Sequence, residues 1–250
     1  MSHLHIPDGL LPMTWVAVWS AFAIAFFMIS MYMLRRNWGA RIIARISIFA
    51  AVMILAMSVE WFGVYHLNLA VLAGILLGPW AGFIAQALAN VILALMGHGG
   101  ITSLGLNIVI VGTEAMVGYL IFKAMSLLMM RAWSGRPVPE HRRPRRLGLS
   151  AFVATIISLM ISFSFMVSAV GFSLGGWDAV SETLAHNHNH LESQAEPHDQ
   201  SNISSFSLSN FVKVMAIPAL VGWPAESILV AAMVSYIASV RPGFFDVIHN

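Results

Sequence analysis

Cysteine is absent from all 250 residues, which excludes disulfides, thiolate metal ligands and thiol chemistry. Charge is nearly as scarce. Asp, Glu, Lys and Arg make up 10% of the chain, where a soluble domain carries about 25%. No Gly-x-x-x-x-Gly-Lys-Ser/Thr loop occurs, so ATP hydrolysis is expected in separate chains. No His-Glu-x-x-His pair occurs either, which weighs against an intramembrane metalloenzyme. Nor does a basic leader or small-residue cleavage site precede the first apolar run, so that run is expected to be retained as a helix.

What is present is apolar sequence in long runs. Hydrophobic residues make up 58% of the chain, in stretches such as Met13–Leu34 and Ala151–Val170. Each is near the ~20 residues that span a ~30 Å hydrocarbon core. The fold class is therefore an all-α polytopic membrane protein forming a single integral domain over residues 1–250. Sixteen methionines are read as apolar filler rather than soft-metal ligands.

Basic residues set the topology. Arg35, Arg36, Arg41 and Arg45 follow the first run, seven Lys and Arg lie between Lys123 and Arg146, and Arg241 follows the last run. The positive-inside rule puts all three groups in the cytoplasm. A nucleic-acid role for the arginines is not needed, and anionic lipid is a secondary use. This decides how residues 67–96 run. A single crossing would put the basic stretch outside, whereas a reversal at Gly78-Pro79-Trp80 returns it to the cytoplasm, and Gly and Pro permit that turn. About seven segments follow, at 13–34, 42–59, 67–77, 80–96, 104–130, 148–170 and 207–240. The N-terminus lies outside, the C-terminus inside, and residues 131–147 form a basic cytoplasmic loop. The third segment is too short to span unaided and must be sheltered by protein or a cavity.

On this topology His3, His5, His66, His98, His186, His188, His190 and His198 fall on the outer side, and only His141 and His249 are cytoplasmic. Asp8, Glu60, Asp178, Glu182, Glu192, Glu196 and Asp199 join the outer group. A face rich in imidazole and carboxylate with few basic residues attracts divalent cations. Residues 1–12 and His66, at the start of the third segment, are the candidate metal-binding elements. The outer loop 171–206 holds His186-Asn187-His188-Asn189-His190, a tract suited to loose metal gathering.

His5-Ile6-Pro7-Asp8-Gly9-Leu10-Leu11-Pro12 resembles the N-terminal signature of the CbiM/NikM family, the substrate-capturing components of cobalt and nickel energy-coupling-factor (ECF) transporters. His66-Leu67 leading into Leu76-Leu77-Gly78-Pro79-Trp80-Ala81-Gly82 resembles the same family. So does Gly99-Gly100-Ile101-Thr102-Ser103-Leu104-Gly105-Leu106-Asn107 and, more weakly, Ala219-Leu220-Val221-Gly222 with Glu226 and Val240-Arg241-Pro242. The resemblance implies a near-planar nitrogen site made from the chain's N-terminal amine, an amide and imidazole beside it, and a histidine at the start of the short helix. His5 matches the first imidazole and His66 the second. Such a site suits Ni(II), and Co(II) less well. Met1-Ser2-His3-Leu4 precede His5 where the family's histidine is usually residue two, so His3 is a rival to His5 and the Met1 amine a candidate ligand.

The resemblance also implies partners: a transmembrane coupling subunit, ATPase subunits and a small accessory membrane subunit, in the inner or plasma membrane. The cargo is Co(II) or Ni(II), with no organic cofactor, and import would feed cobalamin or nickel-enzyme biosynthesis. A stand-alone metal channel or sensor and an intramembrane metalloenzyme are the rival readings.

Each residue has a plainer role beside its functional one. Asp8 can cap the first helix or support the metal segment. Asn68 can orient the His66 imidazole or cap the short helix. His98 and Asn107 are a polar loop residue and a helix-start residue that could face the same cavity. Glu114 and Glu226, inside predicted segments, are costly there and lean towards structure. Ala17, Ala21 and Ala25, and likewise Gly74 and Gly78, recur every four residues and favour close helix packing, with internal packing the default and a partner subunit the alternative.

Overall fold

A computed structural model describes residues 11–61, 65–97, 100–131, 143–173 and 208–245. Seven α-helices account for most of them: α1 (Met13–Leu34), α2 (Ala40–Ser58), α3 (Ala70–Leu77), α4 (Pro79–Leu95), α5 (Leu104–Arg131), α6 (Arg143–Ser173) and α7 (Leu208–Val240). Five of them, α1, α2, α5, α6 and α7, are long and apolar enough to cross a membrane. The fourth, with 17 residues, is about 25 Å long at 1.5 Å per residue.

All seven expected segments appear as helices, with three departures. First, two short strands, β1 (Glu60–Trp61) and β2 (Tyr65–His66), pair antiparallel, Glu60 with His66 and Trp61 with Tyr65. This pairing delays α3 until Ala70. Second, α6 begins at Arg143 and α5 runs to Arg131, so part of the basic stretch is helical. Pro144 occupies the second helical position, where a missing N–H is no loss. Third, Ala17, Ala21 and Ala25 are exposed on α1, which corrects the default of internal packing for that stripe.

Because α3 is eight residues long, it cannot hold a place in a bilayer by itself. It is enclosed instead: Ala70, Val71, Leu72, Ala73 and Ile75 are all fully buried. They form one apolar cluster with Met53 and Met57 of α2, Ala89 and Leu93 of α4, Val111 and Ala115 of α5, and Val230 and Val234 of α7. Backbone closeness makes this possible. A Cβ on Gly74 would overlap the Ala115 carbonyl, one on Gly82 would come within 2.9 Å of the Gly74 backbone, and one on Gly118 within 2.7 Å of Val71. Gly78 has a different use. Its φ of +87° makes the turn between α3 and α4, and nothing lies within 4 Å of where its Cβ would be.

At the other end of the bundle, Leu11 shares an apolar cluster with Leu106, Ile110, Met166 and Val170. Trp19 Nε1 donates to Ser173 Oγ at 3.1 Å, tying α1 to α6. Most of α1 faces outward, with Phe22, Ile24, Met28 and Ile29 exposed.

Gly74→Ala is expected to destabilise the protein by about 1–3 kcal/mol or more, as overpacking does, because the new methyl meets a backbone carbonyl that cannot rotate away. Gly39→Ala, at an extended position with open space around it, should be neutral. Thermal unfolding in detergent compares the two.

Candidate metal-capture site

His66 is the one histidine among the described residues. It closes strand β2, paired with Glu60, and is partly buried. His3, His5, Met1, Asp8 and His98 lie outside the described residues, as does most of the His-rich loop 171–206. Among the described residues no three His, Asp or Glu side chains gather as a metal cluster.

The segment after His66 is held by hydrogen bonds from two distant helices. Asn68 Nδ2 donates to Glu114 Oε1 of α5 at 3.1 Å. The Asn68 backbone N–H donates to Glu226 Oε2 of α7 at 3.3 Å. Asn68 Oδ1 accepts the N–H of Ala70 at 3.0 Å, so the residue does cap the short helix. Asn68, Glu114 and Glu226 are all at most 2% exposed. Ser158 of α6 reaches the same level, its Oγ donating to the Glu114 carbonyl at 2.8 Å.

These bonds tie the chain just after His66 to two long helices. Glu114 lies about 15 Å, ten residues at 1.5 Å each, from the first residue of α5. Glu226 is likewise near the middle of α7. Asn68 is therefore held inside the bundle, and His66 is two residues away.

The same stretch of α5 also packs against Leu11. Leu11, near the end of the 1–12 segment, packs in the cluster containing Leu106 and Ile110, while Glu114 is one helical turn beyond Ile110. Asn107 lies between them, buried, with Nδ2 donating to Ser103 Oγ at 3.3 Å. Residues 106–114 thus link Leu11 to Asn68 across about 12 Å of helix.

The chain has counterparts among known proteins. The cobalt uptake substrate-specific transmembrane region, CbiM, matches residues 5–244. The chain belongs to the CbiM family. The cobalt transport protein CbiM of Sorangium cellulosum is 26% identical over 71% of this chain and 76% of its own length. The fused nickel transport protein NikMN of Rhodobacter capsulatus is 27% identical over 96% of this chain and 63% of its own length. A fused NikMN relative from Archaeoglobus fulgidus is 30% identical over 71% of this chain, which spans only 60% of that relative. A crystal structure of a transition metal transporter shares the fold, with a TM-score of 0.67 and 20% identity, covering 98% of this chain and 96% of that one. A truncated transition metal transporter does so with a TM-score of 0.65 and 20% identity, covering 94% and 99%. This CbiM-family chain is thus a membrane protein of a cobalt and nickel transport family.

Sequence reasoning singled out Asn68, Glu114 and Glu226 separately and missed that they meet. Their spacing along the chain gives no hint of it, because three different elements bring them together. Gln86, fully buried on α4 with neither side-chain amide atom hydrogen-bonded, was not singled out at all.

Asn68→Leu is expected to lower stability by about 1–3 kcal/mol, since a buried acceptor loses its donor. The midpoint of thermal unfolding would fall accordingly.

Proposed function

We propose that this chain captures Co(II) or Ni(II) at the outer membrane face for ATP-driven import by an ECF-type transporter. The observation that carries the reading is the convergence on α5. One nine-residue stretch, 106–114, packs against Leu11, six residues after His5, and holds Asn68, two residues after His66. In the proposed site His66 gives one imidazole and the N-terminal segment gives the other, from His5 or its rival His3. Backbone nitrogen, including the Met1 amine where that end is free, completes the set. Asp8, Asn68, His98 and Asn107 shape its surroundings, and the His-rich loop gathers metal loosely. Nitrogen donors fit the cargo: imidazole suits Ni and Co, whereas Mg(II) and Ca(II) prefer oxygen.

The N-terminus is placed outside and the arginine-rich ends inside, in the inner or plasma membrane, by the positive-inside rule. Energy would come from ATPase subunits through a transmembrane coupling subunit, with a small accessory membrane subunit alongside. The exposed face of α1 supports a membrane partner. Ala17, Ala21 and Ala25 line up at four-residue spacing on the outside of the bundle, where small residues let another helix approach closely. Lipid alone makes no such demand, and neighbouring outward positions carry Phe22, Ile24 and Met28.

His66→Ala should abolish high-affinity binding, by more than the about 10–100-fold that loss of an outer partner costs, while the protein stays folded. Calorimetric titration of the purified chain with Ni(II) and with Co(II), beside His5→Ala and His3→Ala, tests this. Unchanged affinity in His66→Ala would remove it from the site.

Ala21→Trp should leave metal affinity intact but reduce uptake in cells that contain the ATPase subunits, because the indole blocks close helix approach. Undiminished uptake would take the α1 stripe out of the partner interface.

A further inference from the structure

Two carboxyl groups lie in the part of a membrane bundle that accommodates them least, and both use their reach on one residue. Glu114 projects from α5 to the Asn68 side chain, and Glu226 from α7 to the Asn68 backbone. We infer that Glu114 and Glu226 are positioning residues for the metal-ligand strand: acting through Asn68, they set where His66 stands. This rests on the reading of His66 as a ligand.

The geometry supports it at each step. Asn68 N belongs to the peptide that joins Leu67 to Asn68, so the bond to Glu226 fixes the plane of the peptide next to that of His66 and Leu67. The Asn68 side chain is engaged at both ends, by Glu114 and by the N–H of Ala70, which sets the direction in which α3 departs. Leu67, Asn68 and Leu69 are all buried, so neither lipid nor water competes for these bonds. Before His66 the chain is held by the strand pairing with Glu60. The His66 backbone is therefore restrained from both directions.

Such restraint has a chemical use. A ligand constellation works when its donors are held within about 0.5 Å and 10–20° of the productive geometry. With one acid on α5 and the other on α7, the relative placement of these two helices is passed directly to the His66 strand. Merely gluing the helices together would need no bond to the segment two residues from a ligand. What the joint requires of each acid is an acceptor oxygen in the right place, and a glutamine amide retains one.

The test uses the full chain in detergent, with Ni(II) alone as probe. Affinity is read by calorimetry and ligand geometry by the d–d absorption of bound Ni(II). Glu114→Leu and Glu226→Leu are expected to weaken binding about 10–100-fold, as loss of an outer partner of a metal ligand does, and to shift the absorption. Glu114→Gln and Glu226→Gln should stay close to the parent chain in both. Gln variants as weak as the Leu variants would overturn the inference, since charge rather than acceptor placement would then matter.

His66→Ala separates the two levels. Normal Ni(II) binding in that variant defeats the reading of His66. Lost binding there, with parental affinity and spectrum in both Leu variants, defeats the positioning inference alone. Where a Leu variant fails to assemble, hydrogen exchange on the unaltered chain decides. Ni(II) should slow exchange together in the peptides holding residues 65–70, Glu114 and Glu226, and protection confined to 65–70 would overturn the proposal.

Discussion

Glu114 and Glu226 meet at Asn68, and that meeting allows the chain to turn inside the bundle. Backbone polar groups at membrane depth must be satisfied within the protein, and residues 67–69 belong to neither strand nor helix. The Asn68 N–H goes to Glu226, and the Ala70 N–H to the Asn68 side chain. Without those acceptors the junction between β2 and α3 would leave buried donors bare. With them, the chain comes in along β2, turns inside the bundle and leaves as a buried helix.

The rest of the site follows from where that turn lies. It sets the strand bearing His66 against α2 and α7, and it ties Asn68 to the stretch of α5 that also receives Leu11. A metal held there would be bounded by apolar helices, not by bulk water, so its exchange would depend on how the entering segments are seated. The donor types favour a transition metal that gives up water for nitrogen.

The helices were legible in the sequence because a bilayer imposes a length. Met13–Leu34 could be read residue for residue, and the reversal at Gly78-Pro79 followed from requiring every arginine cluster to share a side. The strand pairing was not legible: with two residues per strand, residues 60–66 carry no periodicity, and Phe62-Gly63-Val64 reads as loop or strand alike. The start of α6 was obscured by Arg143, Arg145 and Arg146 around Pro144, a composition typical of loops that is also compatible with a first helical turn. For the site, His66 and Asn68 were visible as residue types in a recognisable order. The bonds that hold Asn68 were not, since they reach carboxylates 46 and 158 residues away. The alanine stripe on α1 shows the limit of spacing arguments: four-residue recurrence says that a helix can be approached closely, not from which side.

Gly74, finally, determines more than how near α3 lies to its neighbours. Its Cα faces the Ala115 carbonyl on one side and Gly82 on the other, and it is flanked by Ala73 and Ile75. A shift of α3 by one position would bring a methyl or a branched side chain onto a carbonyl that has no room for either. The contact works as a ratchet tooth with no neighbouring notch, so α3, α4 and α5 can tilt together but cannot slide past one another. Any rearrangement of the bundle short of unfolding has to leave that three-helix block whole and move the other helices around it.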